Sequence, residues 1–302
     1  MEFTVNDSKN GFHTVRLKSF EDFSHLLSKN GFREYPEYIF RGERDPAYEL
    51  LPSLYREFNK TLAIDNLDRS KAEIIENKIK AGIRTANHLK HFLFGLRGTA
   101  WHESCHELLI DWFQNNSSAP VHINSLRIAA EKSASLWGAL VNTWALGQHH
   151  KLLTPLLDWT ESPLVAFYFA FRESDERKIG EESRVVYALN RRLIRERKNK
   201  SFKYFPLDFI TPFARNNPRL IAQQGLFTFS HVYQSVGNWV AEEFNEEDGP
   251  VLIRFLIGNG DSVEALRWLN RHGINDRVLF PDLKGISEFT NRCLRDSKLT
   301  FI

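Results

Sequence analysis

Residues 163–171 read PLVAFYFAF, nine consecutive apolar or aromatic residues directly after Ser162. Serine followed by proline is the pattern of a helix N-cap and first helical position, so a helix without a polar side is expected here. No face of such a helix can be left in water, and the chain has to build protein around it. The segment is also about half of the ~20 residues that cross a bilayer, which points to enclosure in a protein core. Just ahead of it, residues 146–162 (LGQHHKLLTPLLDWTES) crowd histidines, threonines and an aspartate against the apolar run. These polar groups are either satisfied core atoms or the floor of a binding site.

The flanking sequence supplies the enclosing layers. Residues 12–17 alternate apolar and polar as a strand does, and Ser19 caps a short helix through Phe20, Phe23, Leu26 and Leu27 that ends at Asn30-Gly31. Residues 37–43 (EYIFRGE) form a second strand closed by Gly42, and residues 50–58 a loop entering a helical turn. Helical spacing then runs through Ile74, Ile75, Ile79 and Ile83 to Leu108, Leu109 and Trp112. One long helix is expected from 123 to about 147, its apolar face carried by Leu126, Ala130, Ser133, Trp137, Leu140 and Trp144. Residues 152–159 read as a short buried strand, and further strands are expected at 184–189, 205–210, 226–229 and 251–257. A helix from Asp261 and a last one after Pro281 close the chain. The expected fold is α+β, with mixed or antiparallel strands in a split sheet core. A mainly helical region at about 65–147 is inserted between the first strands and a strand-rich region at about 150–260. Residues 1–302 are expected to form a single domain.

Charge is balanced, with 40 basic and 38 acidic residues, so no whole-molecule field draws in a polyanion and any nucleic-acid contact has to be local. The basic run at 191–203 (RRLIRERKNKSFK) is the candidate, with a solvated loop as the plain alternative. Cys105 and Cys293 are far apart and suit a reducing cytosol. The opening MEFTVNDSKN has neither the basic start nor the apolar stretch of a signal peptide. A soluble cytoplasmic protein with no membrane partner is expected; the oligomeric state is open.

No GxxxxGK[ST], GxGxxG, HExxH or GxSxG is present. His102 and His106, four apart in HESCH, share a helix face with Cys105 nearby, but no further metal ligand is legible beside ordinary histidines. Arg41 ends a buried strand, where its charge requires either a carboxylate such as Asp158 or a ligand phosphate. Gly42 lets the backbone turn or approach a ligand closely. Asp158 and Thr160 precede the N-terminus of the apolar helix, which favours a negative group, and Gln148, His149 and Thr154 converge there if the long helix packs beside the strand. Gln223 and Gln224 stand at a helix-to-strand corner before Gly225, as capping groups or as ligand contacts.

Phe40-Arg41-Gly42, LLPSLYRE at 50–57, GQHHKLLTPLLDWTESPLVAFYFA at 147–170, RLIAQQGLFTF at 219–229 and LFPDLKGI at 279–286 together resemble the FRG domain, in order and spacing, over roughly residues 20–295. One departure is visible: the family carries an aromatic residue and a glycine where this chain has His150 and Lys151. The resemblance implies a bacterial protein of conflict or antiviral defence, with a motif layout similar to that of ADP-ribosyltransferases. On that layout Arg41, Gly42, Gln148, Thr154 and Thr160 are binding positions for NAD, and Gln223, Gln224, Asp158 and His149 are catalytic ones. A transferase passing through an oxocarbenium-like state normally uses a carboxylate; the late motif offers glutamines, and Asp158 is the substitute if it comes within reach.

The leading expectation is an ADP-ribosyltransferase-like enzyme using NAD or a related nucleotide, with a protein, a nucleic acid or free NAD as target. Its alternatives are a non-catalytic module sensing a nucleotide or phage component, and a nucleic-acid-binding protein or nuclease working through 191–203. The last lacks the clustered carboxylates of a two-metal nuclease.

Overall fold

The computed structural model describes residues 7–28, 37–62, 70–173, 183–200, 207–212, 217–230, 233–258, 262–296 and 298–299. In chain order, β1 (Asp7–Lys9), β2 (Phe12–Leu17), α1 (Phe20–Ser28) and β3 (Tyr38–Glu43) precede five helices: α2 (Ser53–Leu62), α3 (Lys71–Leu96), α4 (Ser104–Asn115), α5 (Ile123–Glu131) and α6 (Ala134–His149). Then come β4 (Leu156–Thr160), α7 (Pro163–Phe171), β5 (Ser183–Asn190), α8 (Arg191–Lys200), β6 (Leu207–Ile210), α9 (Pro218–Ala222) and β7 (Gly225–Ser230). The last elements are α10 (Val236–Glu243), β8 (Leu252–Gly258), α11 (Ser262–Arg271), α12 (Asp276–Leu279) and α13 (Leu283–Arg295). No helix among the described residues is long and apolar enough to cross a membrane.

The strands form one mixed sheet in the order β1-β2-β8-β5-β3-β4-β7-β6. Only β2 and β8 run parallel; the other neighbours are antiparallel. The fold is α+β, and the helices α2 to α6 interrupt the sheet between β3 and β4. The split is visible in the register: β3 lies against β5 from Tyr38 to Glu43, but meets β4 at a single pair, Phe40 opposite Thr160. Beyond that pair the two strands part.

Packing follows the alternation of side chains along each strand. Phe40, Val186, Ala188, Ile253, Phe255 and Ile257 face α7 in a core that also takes Phe23 from α1 and Leu269 from α11. The opposite face, with Ile39, Val185, Leu189, Leu252 and Leu256, is covered by Ile194 of α8 and Trp239 and Val240 of α10. A third cluster joins α3 to α6 through Leu93, Ile110, Leu126 and Trp144, and seats them on Leu156, Phe227 and Phe229 of β4 and β7. Because Phe40 opposes Thr160, α7 and α6 cover the same face on either side of the parting. Ser162 caps α7, accepting from the Val165 N–H at 3.4 Å. The polar handle of α7 is Tyr168, whose hydroxyl donates to the buried Asp276. Arg292 pairs with the same carboxylate at 2.9 Å, which pins α12 and α13 against α7.

Several expectations change. The helix drawn from 123 to 147 is two helices, because Ser133 turns out of the helix and its hydroxyl accepts from the Leu136 N–H as the cap of α6. The strand at β3 runs through Gly42 to Glu43 and is not closed by the glycine. The run at 191–203 is a helix over residues 191–200, with 201–203 outside the described residues. Ile75 and Ile79, counted as apolar positions, are exposed on α3. The Asn30-Gly31 stop, the residues 205–206 and Asp261 lie outside the described residues.

Gly42 is held by packing against α7. A Cβ there would lie 1.7 Å from the Ala166 carbonyl oxygen and 2.7 Å from the Ala170 nitrogen, both backbone atoms that cannot move aside. Gly42→Ala is therefore expected to cost about 3 kcal/mol, the upper end of overpacking penalties, read as a lowered urea midpoint with an unchanged slope. A midpoint equal to that of the unaltered chain would show that β3 and α7 separate easily.

Candidate functional site

The parting of β3 and β4 needs a polar side chain to hold it, and Arg41 is that group. Its Nε and Nη2 donate to Glu43 Oε1 at 2.9 and 2.6 Å, while Nη1 donates to the Asp158 main-chain oxygen at 2.8 Å and stands 3.5 Å from Oδ2 of the same residue. Arg41 and Glu43 lie on one face of β3, two residues apart. Their side chains are only 15% and 16% exposed, whereas that of Asp158 is 60% exposed. Burial works against the Arg41 charge, but Glu43 and Asp158 outweigh it and hold the guanidinium above its ordinary value.

The end of α6 adds a second polar tie. Gln148 donates through Nε2 to Asp158 Oδ1 at 2.6 Å, and the buried Thr154 hydroxyl donates to Gln148 Oε1. Thr154 fixes the amide from behind and its N–H reaches Ser53 Oγ at 3.2 Å, linking α2 to the same corner. His149 follows Gln148 into the pocket wall. Desolvation lowers its pKa below the ordinary 6.5, helped by Arg219 and His150 and opposed by Asp282, so the ring is neutral at pH 7.

Two residues further along β4, Thr160 Oγ1 donates to the Gln223 main-chain oxygen at 2.6 Å and accepts from the Ser162 N–H at 3.0 Å. The Gln223 side chain donates to the Leu279 carbonyl at 3.0 Å. Gln224 is exposed with φ +46, and its carbonyl accepts from the Glu161 N–H at 3.0 Å.

A cavity of about 570 Å³ opens at the parting of β3 and β4, walled by Gln148 and His149 of α6 and by Phe169 and Arg172 at the end of α7. Arg41 and Glu43 from β3 and Asp158 and Thr160 from β4 line the gap between the strands, and the rim carries three more arginines. Arg44 pairs with Glu173 at 2.7 Å and Arg219 with Asp282 at 2.5 Å. Arg172 lies 3.1 Å from Glu288 with its guanidinium 4.6 Å from the centre of the Phe280 ring; Arg219 approaches the same ring at 5.3 Å. Arginines stacked on an aromatic face present cationic edges to an anion beside a flat apolar surface.

Of the residues singled out in the sequence, Arg41, Gly42, Gln148, His149, Asp158, Thr160 and Gln223 line this cavity. Thr154 stands behind Gln148, and Gln224 is not part of the lining. Both readings of Arg41 meet here, since it is paired in the protein and also faces the cavity. Sequence reasoning missed Glu43, although a carboxylate two residues from a buried strand arginine shares its face and is the nearest partner. It also missed Arg44, Arg172, Arg219 and Phe280, which only the folding together of the end of β3 with α7, α9 and α12 assembles. The histidines of HESCH serve locally: His102 Nε2 is 2.9 Å from Glu107 Oε1, and His106 Nδ1 accepts from the Glu103 N–H at 2.9 Å. Among the described residues no group of three or more His, Cys, Asp or Glu side chains is placed to hold a metal. The cations of α8 are met by acids, with Arg191 on Glu161, Arg197 on Asp248 and Lys198 on Asp208 at 2.7 to 2.8 Å.

Arg41→Ala leaves Glu43 without its partner in a largely enclosed place, and a loss of roughly 2–3 kcal/mol is expected, below the ~3–5 of a fully buried pair. Adding Glu43→Gln should recover about half of that loss; effects that sum within ~0.3 kcal/mol in urea titrations would show that the two do not interact. A pH test concerns His13, His88, His106, His122 and His149, whose values desolvation lowers below 6.5. A histidine depressed in the folded state stabilises fully above its unfolded value, and that stability is lost as pH falls through the folded value. The melting temperature should be flat above pH 6.5 and drop below it; a flat profile down to pH 5 would contradict the neutral assignments.

No curated protein and no solved structure matches the chain. The family model of the FRG domain matches residues 115–178, a narrower span than the motif resemblance. It begins at the end of α4 and includes α5, α6, β4 and α7, while Phe40-Arg41-Gly42 lies outside it and packs onto it. The chain thus carries an FRG domain match over the segment that brings Gln148, His149, Asp158 and Thr160 to the cavity.

Proposed function

We propose that the cavity binds a nucleotide of the NAD class and that the protein is an ADP-ribosyltransferase-like enzyme, within a single cytoplasmic domain of a bacterial antiviral system. The observation that carries this reading is the pair of carboxylates, Glu43 and Asp158, held on the two lips of the parted sheet by one arginine. Transfer through an oxocarbenium-like state needs negative charge beside the ribose C1′ and a base for the incoming nucleophile. The glutamines of the late motif do not supply them, because a side-chain amide is neither charged nor basic; the Gln223 amide donates to Leu279 and Gln224 is outside the cavity lining. Glu43 and Asp158 do.

On this reading the bond from C1′ to the nicotinamide nitrogen breaks with its electron pair passing to the ring nitrogen, and neutral nicotinamide leaves. A hydroxyl of the acceptor, or water, forms the new bond to C1′ while Asp158 takes its proton. Neutral His149 and Thr160 order the ribose. The rim arginines suit a pyrophosphate, Phe280 offers a flat face to a base, and the volume falls in the ~300–1,000 Å³ range of small-molecule sites. A non-catalytic nucleotide sensor is the second reading. It is favoured by the fact that each rim arginine already holds a carboxylate of this chain, which a pyrophosphate has to displace.

Incubation of the pure protein with NAD, followed by chromatography for nicotinamide, decides between them. Release that falls about 100-fold or more in Asp158→Asn supports the enzyme. NAD binding by calorimetry without release supports the sensor. Neither binding nor release overturns both.

A further inference from the structure

We propose that a second, smaller cavity receives a phosphodiester of a single-stranded nucleic acid, which makes such a strand the acceptor for the site above. This cavity of about 220 Å³ lies against the same wall, sharing Arg41, Gln148 and Asp158 with the larger one, and its other polar lining is Ser53, Arg56 and Lys151. Arg56 and Lys151 are exposed, and neither has an ion-pair partner among the described residues. They differ in this from the rim arginines and from the α8 cations paired above. Two uncommitted cations on the wall that carries Arg41 make a site for an anion.

Lys151 holds φ +66, just past the end of α6, with its N–H on the Gln148 carbonyl at 3.0 Å. This is the left-handed position that ends many helices, where glycine is at ease and a lysine is strained. A side chain kept at a strained position is explained by what it binds or by favourable charge at the helix end, and the two have opposite consequences on removal.

The neighbouring rings favour a nucleic acid over an acidic peptide. The His150 ring meets Trp101 edge-on at 4.8 Å on one side and His149 at 4.9 Å on the other. Trp101 is 56% exposed. An exposed indole against the imidazole that directly precedes Lys151 in the chain is the combination of flat face and cation on which unpaired bases stack. An acidic peptide uses the cations but gives the indole nothing to stack on. The role as acceptor rests on the transferase reading; the binding itself does not need NAD.

The test is fluorescence anisotropy with a labelled oligodeoxythymidine strand and no NAD. Binding should weaken with salt, and Arg56→Ala and Lys151→Gly should each lower affinity about tenfold and reduce the salt slope by about 0.7. Trp101→Ala should lower affinity about tenfold with the slope unchanged. Lys151→Gly should melt at the same temperature or slightly higher, since it relieves the strain; a lower melting temperature with affinity unchanged assigns Lys151 to the helix end and overturns the site. Equal binding of a duplex, displacement of the strand by inorganic phosphate at matched ionic strength, or preference for a polyglutamate peptide also overturns it. Wild-type protein that releases nicotinamide from NAD but ignores the strand refutes this acceptor alone. Wild-type protein that binds the strand but releases no nicotinamide refutes the transferase reading alone.

Discussion

The guanidinium of Arg41 bridges two strands that have stopped pairing with each other. Its donors divide between Glu43 on its own strand and the main chain and carboxylate of Asp158 on the next. A sheet that parts inside a protein exposes polar backbone to a cavity, and such groups cost free energy unless something bonds to them. One planar cation with a fork of fixed donors meets that need and at the same time fixes two carboxylates at the cavity floor. The candidate chemistry and the integrity of the sheet therefore depend on the same residue.

The rest of the site is arranged around that bridge. Gly42 lets α7 lie backbone to backbone on β3, which holds α7 against the strand that carries Arg41 and Glu43. Thr154 fixes Gln148, and Gln148 fixes Asp158 on β4. Tyr168 and Arg292 meet on Asp276 and draw α12 towards α7, so that Phe280 comes between Arg172 and Arg219. Each interaction is local, yet together they leave a cavity whose charged groups are already oriented, the condition under which electrostatic stabilisation acts without reorganisation.

Much of the fold was legible because periodicity reports burial. The strand at β2 and the buried helix at α7 follow from alternation and from unbroken apolarity. The break between α5 and α6 was not legible because Ser133 fits an apolar face by spacing and a cap by chemistry, and only the hydrogen bond to Leu136 decides which. The α8 helix was hidden by charge: a run of basic residues reads as solvated until Ile194 packs into the sheet and acids from β6 and the α10–β8 connection neutralise it.

The sequence by itself determined that an apolar helix had to be enclosed in an α+β core and that polar residues clustered just before it, because both are statements about neighbours along the chain. It also brought forward Arg41, Asp158 and Gln148 as residues with chemistry to explain. Tertiary structure alone decided that Gln223 offers its carbonyl to Thr160 and its side chain to Leu279, and that the arginines at 44, 172 and 219 share one rim. The physical reason is that these partners stand up to more than a hundred residues apart, and pairing across such distances is set by how layers pack and strands register, which no local pattern records.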